Sequence, residues 1–346
     1  MAKSAKRLSA SRIKTLEGCS WTYWCKYHLK LPDKSNAGAL KGTICHAIFE
    51  WLLQKKHKKH FKNIVAANDI QGSPAIDRIV KAFLKANHLI DKKEYEMVND
   101  MVVVGLTNDF FVTGKKVFDP EYEFLIENEE PKYNAMGYID KWAKDVKKKE
   151  IHVIDYKSSK SKFAGEDLES NVQAMLYSLA AKKVYPDYIP IVTFVFLQFA
   201  KSPNQVLQFD ETTLNGFEHY LEMCQNKIEK FSHTDAVSNF AADTKPKGGG
   251  FNGFLLCGFA KQPGELKKDG TPKWHCPFRF KFDYYILLDN KNKAVKSIKV
   301  DDLVARYRDE IPSELEAQRA KHDGWTIEKR NYGGCPRWNR PTLTSF

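Results

Sequence analysis

The chain has 346 residues, 42% apolar and 13% aromatic, and its 55 Lys and Arg against 43 Asp and Glu give a net charge of +12. That composition excludes a disordered or low-complexity polymer and leaves room for one large or two smaller buried cores. The positive excess points to a polyanionic partner, most simply nucleic acid. No apolar run approaches the roughly 20 residues of a spanning helix. The opening MAKSAKRLSASRIK has no signal-peptide apolar core, so a soluble cytoplasmic protein with no membrane partner is expected. Seven cysteines, an odd number, point to reduced thiols or metal ligands rather than a disulfide framework.

Ser9–Ser11 and the residues to Gly18 predict a cap and a first helix. The aromatic and cationic segment Cys19–His28 fits either a base-stacking surface or core with a polar rim. A helix from near Gly42 carries the stripe Ile44, Ala47, Ile48, Trp51 and Leu52 toward the core. His46 and Glu50 lie on its other side, one turn apart. Lys55–His60 is basic, either a solvated helix end or a phosphate-contacting patch. Gly72-Ser-Pro74 breaks the chain before amphipathic helices at 76–87 and 94–111.

From Val117 the period becomes two. Tyr122, Phe124 and Ile126 alternate with Glu121, Glu123, Leu125 and Glu127, giving a strand with one apolar and one acidic face. Residues 167–184 predict a helix with core stripe Leu168, Val172, Met175, Leu176 and Leu179, from which Gln173 and Tyr177 project together. Ile189–Phe199 reads as a central strand, Asn204–Phe209 as its hairpin partner, and Thr212–Phe231 as a helix. Thr244–Gly250 is the clearest linker; beyond it Phe278–Leu288 reads as a strand and Ser297–Lys321 as largely helical. The fold class is α/β (α+β), a mixed sheet flanked by helices. An N-terminal helical region (1–116), a core (117–243) and a Cys-containing extension (244–346) are expected.

Two short strands carry the chemistry: GYID (Gly137–Asp140) and IDYK (Ile154–Lys157), either side of the lysine-rich Asp145–Glu150. Alternation puts Asp155 and Lys157 on one face and Tyr156 on the other. A tight hairpin centred on Lys147–Lys148 places Asp140 across from Asp155, with Cβ atoms about 5 Å apart. Carboxylates that close trap a proton near neutral pH unless a cation lies between them. Mg²⁺ or Mn²⁺ suits hard oxygen ligands. The following loop, Ser158–Lys162, offers hydroxyls and cations suited to a phosphate.

In chain order stand His46, an acidic strand, Gly137-x-x-Asp140, Asp155-x-Lys157 and Gln173-x-x-x-Tyr177. From about Ser9 to Tyr177 this pattern resembles the RecB-type branch of the PD-(D/E)XK nuclease superfamily, including the CRISPR-associated RecB-like exonucleases. The resemblance implies a restriction-endonuclease-like core and a metal-dependent deoxyribonuclease. It would be an exonuclease or DNA end-processing enzyme of repair, recombination or phage replication. It implies that His46, Asp140 and Asp155 bind Mg²⁺ or Mn²⁺, with the backbone carbonyl of Tyr156 as a further ligand. Lys157 would orient or activate the attacking water, and Gln173 and Tyr177 would position DNA and the lysine. Glu121 or Glu123 could add a carboxylate, with no choice between them from sequence.

Many members of that branch hold an iron–sulfur cluster on one Cys before the His helix and three near the C-terminus. Carried over, this implies Cys19 or Cys25 with Cys257, Cys276 and Cys335 around a [4Fe–4S] cluster or a structural zinc, His275 replacing a ligand in the zinc case. Here the late cysteines are more widely spaced than in those relatives, and buried unmodified thiols are the alternative. Cys45 and Cys224 fall in predicted helices and are assigned to packing. A DNA-binding scaffold without turnover, and an endonuclease, are the other functional readings.

Overall fold

Several helices begin where the sequence supplies a capping side chain. Ser73 accepts the Ile76 amide ahead of α5 (Pro74–Ala86), Asp91 that of Lys93 ahead of α6 (Lys92–Thr107), and Asn171 that of Ala174 ahead of α8 (Val172–Val184). The other helices named below are α1 (Ala10–Gly18), α2 (Ser20–Tyr23), α3 (Ala37–Leu53), α4 (Lys58–Ala67), α7 (Glu166–Glu169), α9 (Glu211–Lys230), α10 (His233–Val237) and α11 (Ser313–Arg319). The structure, a computed structural model, describes residues 6–33, 37–118, 120–238, 265–266, 268, 270, 276–300 and 311–336. Its contacts divide the chain into two compact units, Met1–Ala10 with Ser35–Glu229, and Ser11–Lys34 with Lys230–Phe346. No helix among the described residues is long and apolar enough to cross a membrane.

The first unit is built on a five-stranded mixed sheet in the order β1-β4-β5-β6-β7. Its strands are β1 (Lys116–Val117), β4 (Lys141–Asp145), β5 (Glu150–Lys157), β6 (Ile189–Phe196) and β7 (Asn204–Leu207). β5 and β6 are parallel, which requires a crossover, and α7 and α8 supply it. One sheet face, through Ile154, Tyr156, Val195 and Leu197, packs into the core built by α3 to α6. α8 lies against β5 and β6. The chain is a mixed α/β protein of the expected class, with one topological difference. The acidic strand β2 (Tyr122–Asn128) and β3 (Tyr133–Ile139) pair with each other in a separate two-stranded sheet. The GYID stretch therefore ends at a corner, where Asp140 separates β3 from β4.

Other boundaries differ from the sequence expectation for physical reasons. α3 starts five residues before Gly42, at Ala37, and buries Ile44, Cys45, Ile48, Phe49 and Leu52, while Trp51 is 37% exposed. Apolar residues surround this helix, so periodicity alone could not choose the face; the ring contact of Phe49 with Tyr156, 4.3 Å between centroids, marks the face chosen. The 167–184 helix is broken at Ser170–Asn171, because the Asn171 amide caps α8 and donates to the Asp167 carbonyl. Leu168, Val172 and Leu179 are only half-buried, whereas Met175 and Leu176 of the expected stripe are buried together with Ala174, Tyr177, Ser178, Ala180 and Ala181, so α8 is enclosed on most sides. In the second unit, Ser297–Lys299 is not helical. It closes β9 (Ala294–Lys299), which pairs with β8 (Phe282–Leu288) in the sheet β10-β8-β9. β10 (Thr326–Tyr332) was not legible in the sequence, since it is largely exposed and held by backbone pairing along β8. α11 covers Tyr285 and Leu287 with Leu315. Cys45 and Cys224 are buried in α3 and α9, as packing requires.

Candidate active site

The β4–β5 register runs from Lys141↔Ile154 to Asp145↔Glu150, that of a turn centred on Lys147–Lys148. Asp140, one residue before β4, therefore stands across from Asp155. Its Oδ2 accepts the Tyr156 backbone N–H at 2.8 Å and lies 3.2 Å from His46 Nδ1 on α3. Gly137 has its own reason: it faces Phe124 across the β2–β3 ladder, and a Cβ there would meet the Phe124 ring at 2.6 Å.

Asp155 is 3% exposed. Its Oδ1 accepts from the Tyr177 hydroxyl at 2.8 Å and the Gln173 amide at 3.0 Å. Its Oδ2 is buried without an aligned hydrogen bond, and Lys157 Nζ stands 2.7 Å away as an ion-pair partner. Gln173 bridges the pair, accepting from Lys157 Nζ at 2.7 Å through Oε1 and donating through Nε2 to Asp155 and to Tyr177 Oη. An ammonium only donates and a carboxylate only accepts, so the two contacts fix the amide one way round. The Tyr177 hydroxyl also reaches the Tyr138 carbonyl at 2.9 Å, tying α8 to β3. The i, i+4 spacing of Gln173 and Tyr177 thus serves one carboxylate.

Glu121 and Glu123 sit in different surroundings. Glu121 adopts φ +53°, donates its N–H to the Asp140 carbonyl at 3.2 Å, and turns toward the site. The ligand atoms of His46, Glu121 and Asp140 lie within 4.8 Å of one another. Glu123 instead accepts the exposed Tyr138 hydroxyl at 3.2 Å. The strand alternation held no signal for this, because Glu121 precedes β2 in a left-handed conformation rare outside glycine.

Charge accumulates accordingly. Burial works against a charged His46, but its hydrogen bond to Asp140 and the charges of Asp140, Asp155 and Glu121 outweigh it and raise its pKa to about 9. Burial raises the Asp155 pKa, opposed by Lys157 and reinforced by Asp140. Burial, then the Asp140 charge, also raises Glu121. Three carboxylates, Glu121, Asp140 and Asp155, faced by only Lys157 and the His46 imidazole fit a hard divalent cation.

The loop after Lys157 is only partly available for a phosphate. Ser158 packs against α3 where Gly42 leaves room, since a Cβ there would lie 2.5 Å from Ser158 Oγ. Ser159 Oγ donates within the loop to the Ser161 carbonyl, and Lys162 Nζ bonds to Ser202. His60, in the basic run, is tied to Ser73 Oγ at 2.8 Å. A second acid–histidine group, Asp145, Glu150 and His152, sits at the far end of the hairpin. There Asp145 Oδ1 accepts the Lys147 and Lys148 amides and closes the turn.

In the second unit Cys19 caps α2 by accepting the Thr22 amide at 3.4 Å. Cys25 Sγ lies 3.6 Å from Tyr332 Oη, and Cys276 Sγ lies 3.9 Å from Thr22 Oγ1. Burial raises both the Cys25 and Cys276 pKa values, Cys276 to about 11, and Cys19 and Cys335 are close enough to add to both shifts. These four thiols therefore share one neighbourhood, although no three lie within 4.8 Å of one another among the described residues. Cys257 and His275 lie outside the described residues.

No curated protein matches the chain at a significant level. A family model described as the PD-(D/E)XK nuclease superfamily matches residues 7–249, a span that includes His46, Glu121, Asp140, Asp155, Lys157, Gln173 and Tyr177. That match covers well over half of the sequence, and the chain belongs to the PD-(D/E)XK nuclease superfamily.

Proposed function

We propose that the protein is a Mg²⁺- or Mn²⁺-dependent deoxyribonuclease of the RecB-like type that hydrolyses phosphodiester bonds, working as an exonuclease or DNA end-processing enzyme. The observation that carries this reading is Asp155: one oxygen is saturated by Tyr177 and Gln173, and the other is buried facing Lys157 beside the His46–Glu121–Asp140 group. A nuclease fold implies a nucleic-acid substrate, and the net charge of +12 favours binding it.

The residues divide the work. His46, Glu121, Asp140 and Asp155 Oδ2 would hold the divalent ion, with the Tyr156 carbonyl as a further ligand. When bound, such an ion supplies Lewis-acid activation of water and positive charge beside the phosphate. Lys157, aimed by Gln173, donates a hydrogen bond to the attacking water or to a phosphoryl oxygen as negative charge builds there. Water adds to phosphorus, the P–O ester bond breaks, and the leaving oxygen takes up a proton. Tyr177 keeps Asp155 in place through its hydroxyl.

Cys19, Cys25, Cys276 and Cys335 would hold a [4Fe–4S] cluster or a structural zinc, a reading supported by the neighbourhood the four thiols share.

The direct test incubates end-labelled single-stranded, duplex and closed-circular DNA with Mg²⁺, Mn²⁺ or EDTA, beside an Asp155→Asn variant of equal shape. Metal-dependent loss of linear DNA only, absent in the variant, is expected. Cleavage of the circle would make the enzyme an endonuclease. Binding without cleavage would favour a DNA-binding scaffold, and undiminished activity of Asp155→Asn would remove the site assignment.

A further inference from the structure

Lys141 is the unusual residue of the first unit. It follows Asp140, opens β4 opposite Ile154, and is only 2% exposed. Among the described residues no carboxylate lies within ion-pair distance of it. Its Nζ has two oxygen partners, the Tyr156 hydroxyl at 2.6 Å and the Phe110 carbonyl at 2.8 Å, and it lies 4.7 Å and 5.1 Å from the Phe110 and Tyr156 ring centroids. Burying an amine this deep is unfavourable, and an apolar side chain of similar length would fill the space without that cost. The polar atom is best explained by what it holds.

It holds Tyr156. Strand alternation turns this side chain away from Asp155 and Lys157, into the core behind the site. Its ring lies 4.3 Å from that of Phe49 and meets His46 edge-on at 6.3 Å, both on α3. Its backbone N–H donates to Asp140 Oδ2 at 2.8 Å. Tyr156 thus touches both residues, Asp140 through its backbone N–H and His46 through its ring, and the far end of that ring is held by Lys141. Phe110, just past α6, anchors the other end of the brace.

We propose that Lys141 is a positioning residue: its Nζ, bridging Tyr156 Oη and the Phe110 carbonyl, holds Tyr156 so that Asp140 and His46 stay aligned for the divalent ion. It touches neither the ion nor the substrate. The inference rests on the nuclease reading only in so far as that reading needs a divalent ion.

The test is Mn²⁺ binding by titration calorimetry without nucleic acid, with thermal unfolding, for the wild type, Lys141→Met, Tyr156→Phe and the double variant. Outer-shell partners of metal ligands typically change affinity by about 10- to 100-fold. Lys141→Met should keep a cooperative transition at or above the wild-type temperature yet bind Mn²⁺ at least about tenfold more weakly. Tyr156→Phe should reproduce that loss, and the double variant should be no weaker than the weaker single, because the two act as one unit. A purely structural role would lower the unfolding temperature and leave affinity alone in whatever remains folded. If Lys141→Met does not fold, Tyr156→Phe decides the matter by the same affinity criterion. Wild-type affinity in the folded variants overturns the positioning role alone. Absence of Mn²⁺ binding by the wild type overturns the metal-dependent reading, and this role with it.

Discussion

Lys157 Nζ and Gln173 Oε1 lie 2.7 Å apart, the same distance as Lys157 Nζ and Asp155 Oδ2, so the amide and the carboxylate hold the lysine between them. Gln173→Leu removes the acceptor while keeping similar volume. Cleavage should fall by roughly 10- to 100-fold, the cost of misaiming one hydrogen-bonding group in the transition state. The loss should appear in kcat rather than KM, because aim and not substrate binding is affected. Steady-state kinetics on a linear substrate checks this, and a wild-type kcat would refute it.

The two acidic residues flanking Tyr122 should behave oppositely. Glu121 stands beside His46 and Asp140, whereas Glu123 bonds an exposed tyrosine. Glu121→Gln should weaken Mn²⁺ binding by about tenfold or more, consistent with loss of a charged ligand. Glu123→Gln should leave it unchanged. Equal affinities for both variants would contradict the geometry.

His46 makes the metal-free protein respond to pH. Its folded pKa, about 9, exceeds the unfolded value near 6.5. The His46–Asp140 pair therefore contributes its full stability below pH 6.5 and loses it as the pH rises through 9. In EDTA, the stability advantage of the wild type over His46→Gln should shrink across that window, as followed by urea denaturation. Divalent binding runs the other way, because the ion must displace the imidazole proton. Mn²⁺ affinity should rise by up to about tenfold per pH unit toward pH 9. A flat affinity between pH 7 and 9 would show that His46 is not a ligand.

The thiol neighbourhood predicts a measurable cofactor. Protein purified without oxygen should carry iron and acid-labile sulfide and absorb near the visible range, and Cys276→Ser or Cys335→Ser should lose both. Zinc in equimolar amount would make the site a structural zinc instead. Neither metal, with all thiols titratable, would return these cysteines to simple packing.

Much of the site was legible because local rules govern it. Strand alternation put Asp155 and Lys157 on one face, a turn centred on Lys147–Lys148 set Asp140 across from Asp155, and helical spacing joined Gln173 to Tyr177. Each follows from backbone geometry over a few residues. What spacing could not supply came from contacts between distant segments. His46 gained its partner because α3 packs beside the β3–β4 corner, and Trp51 lost its expected burial because the buried stripe, which keeps Ile44, Ile48 and Leu52, is turned toward Cys45 and Phe49, where Phe49 meets Tyr156. Glu121 was set apart from Glu123 by its own left-handed backbone, and Lys141 revealed its role only when its nitrogen met Tyr156 and a carbonyl 31 residues away. The sequence by itself determined the chemical inventory, its order and the local register, since these depend on neighbours along the chain. Tertiary structure alone decided which groups from distant segments meet, because burial and long-range packing choose among faces that periodicity leaves equivalent.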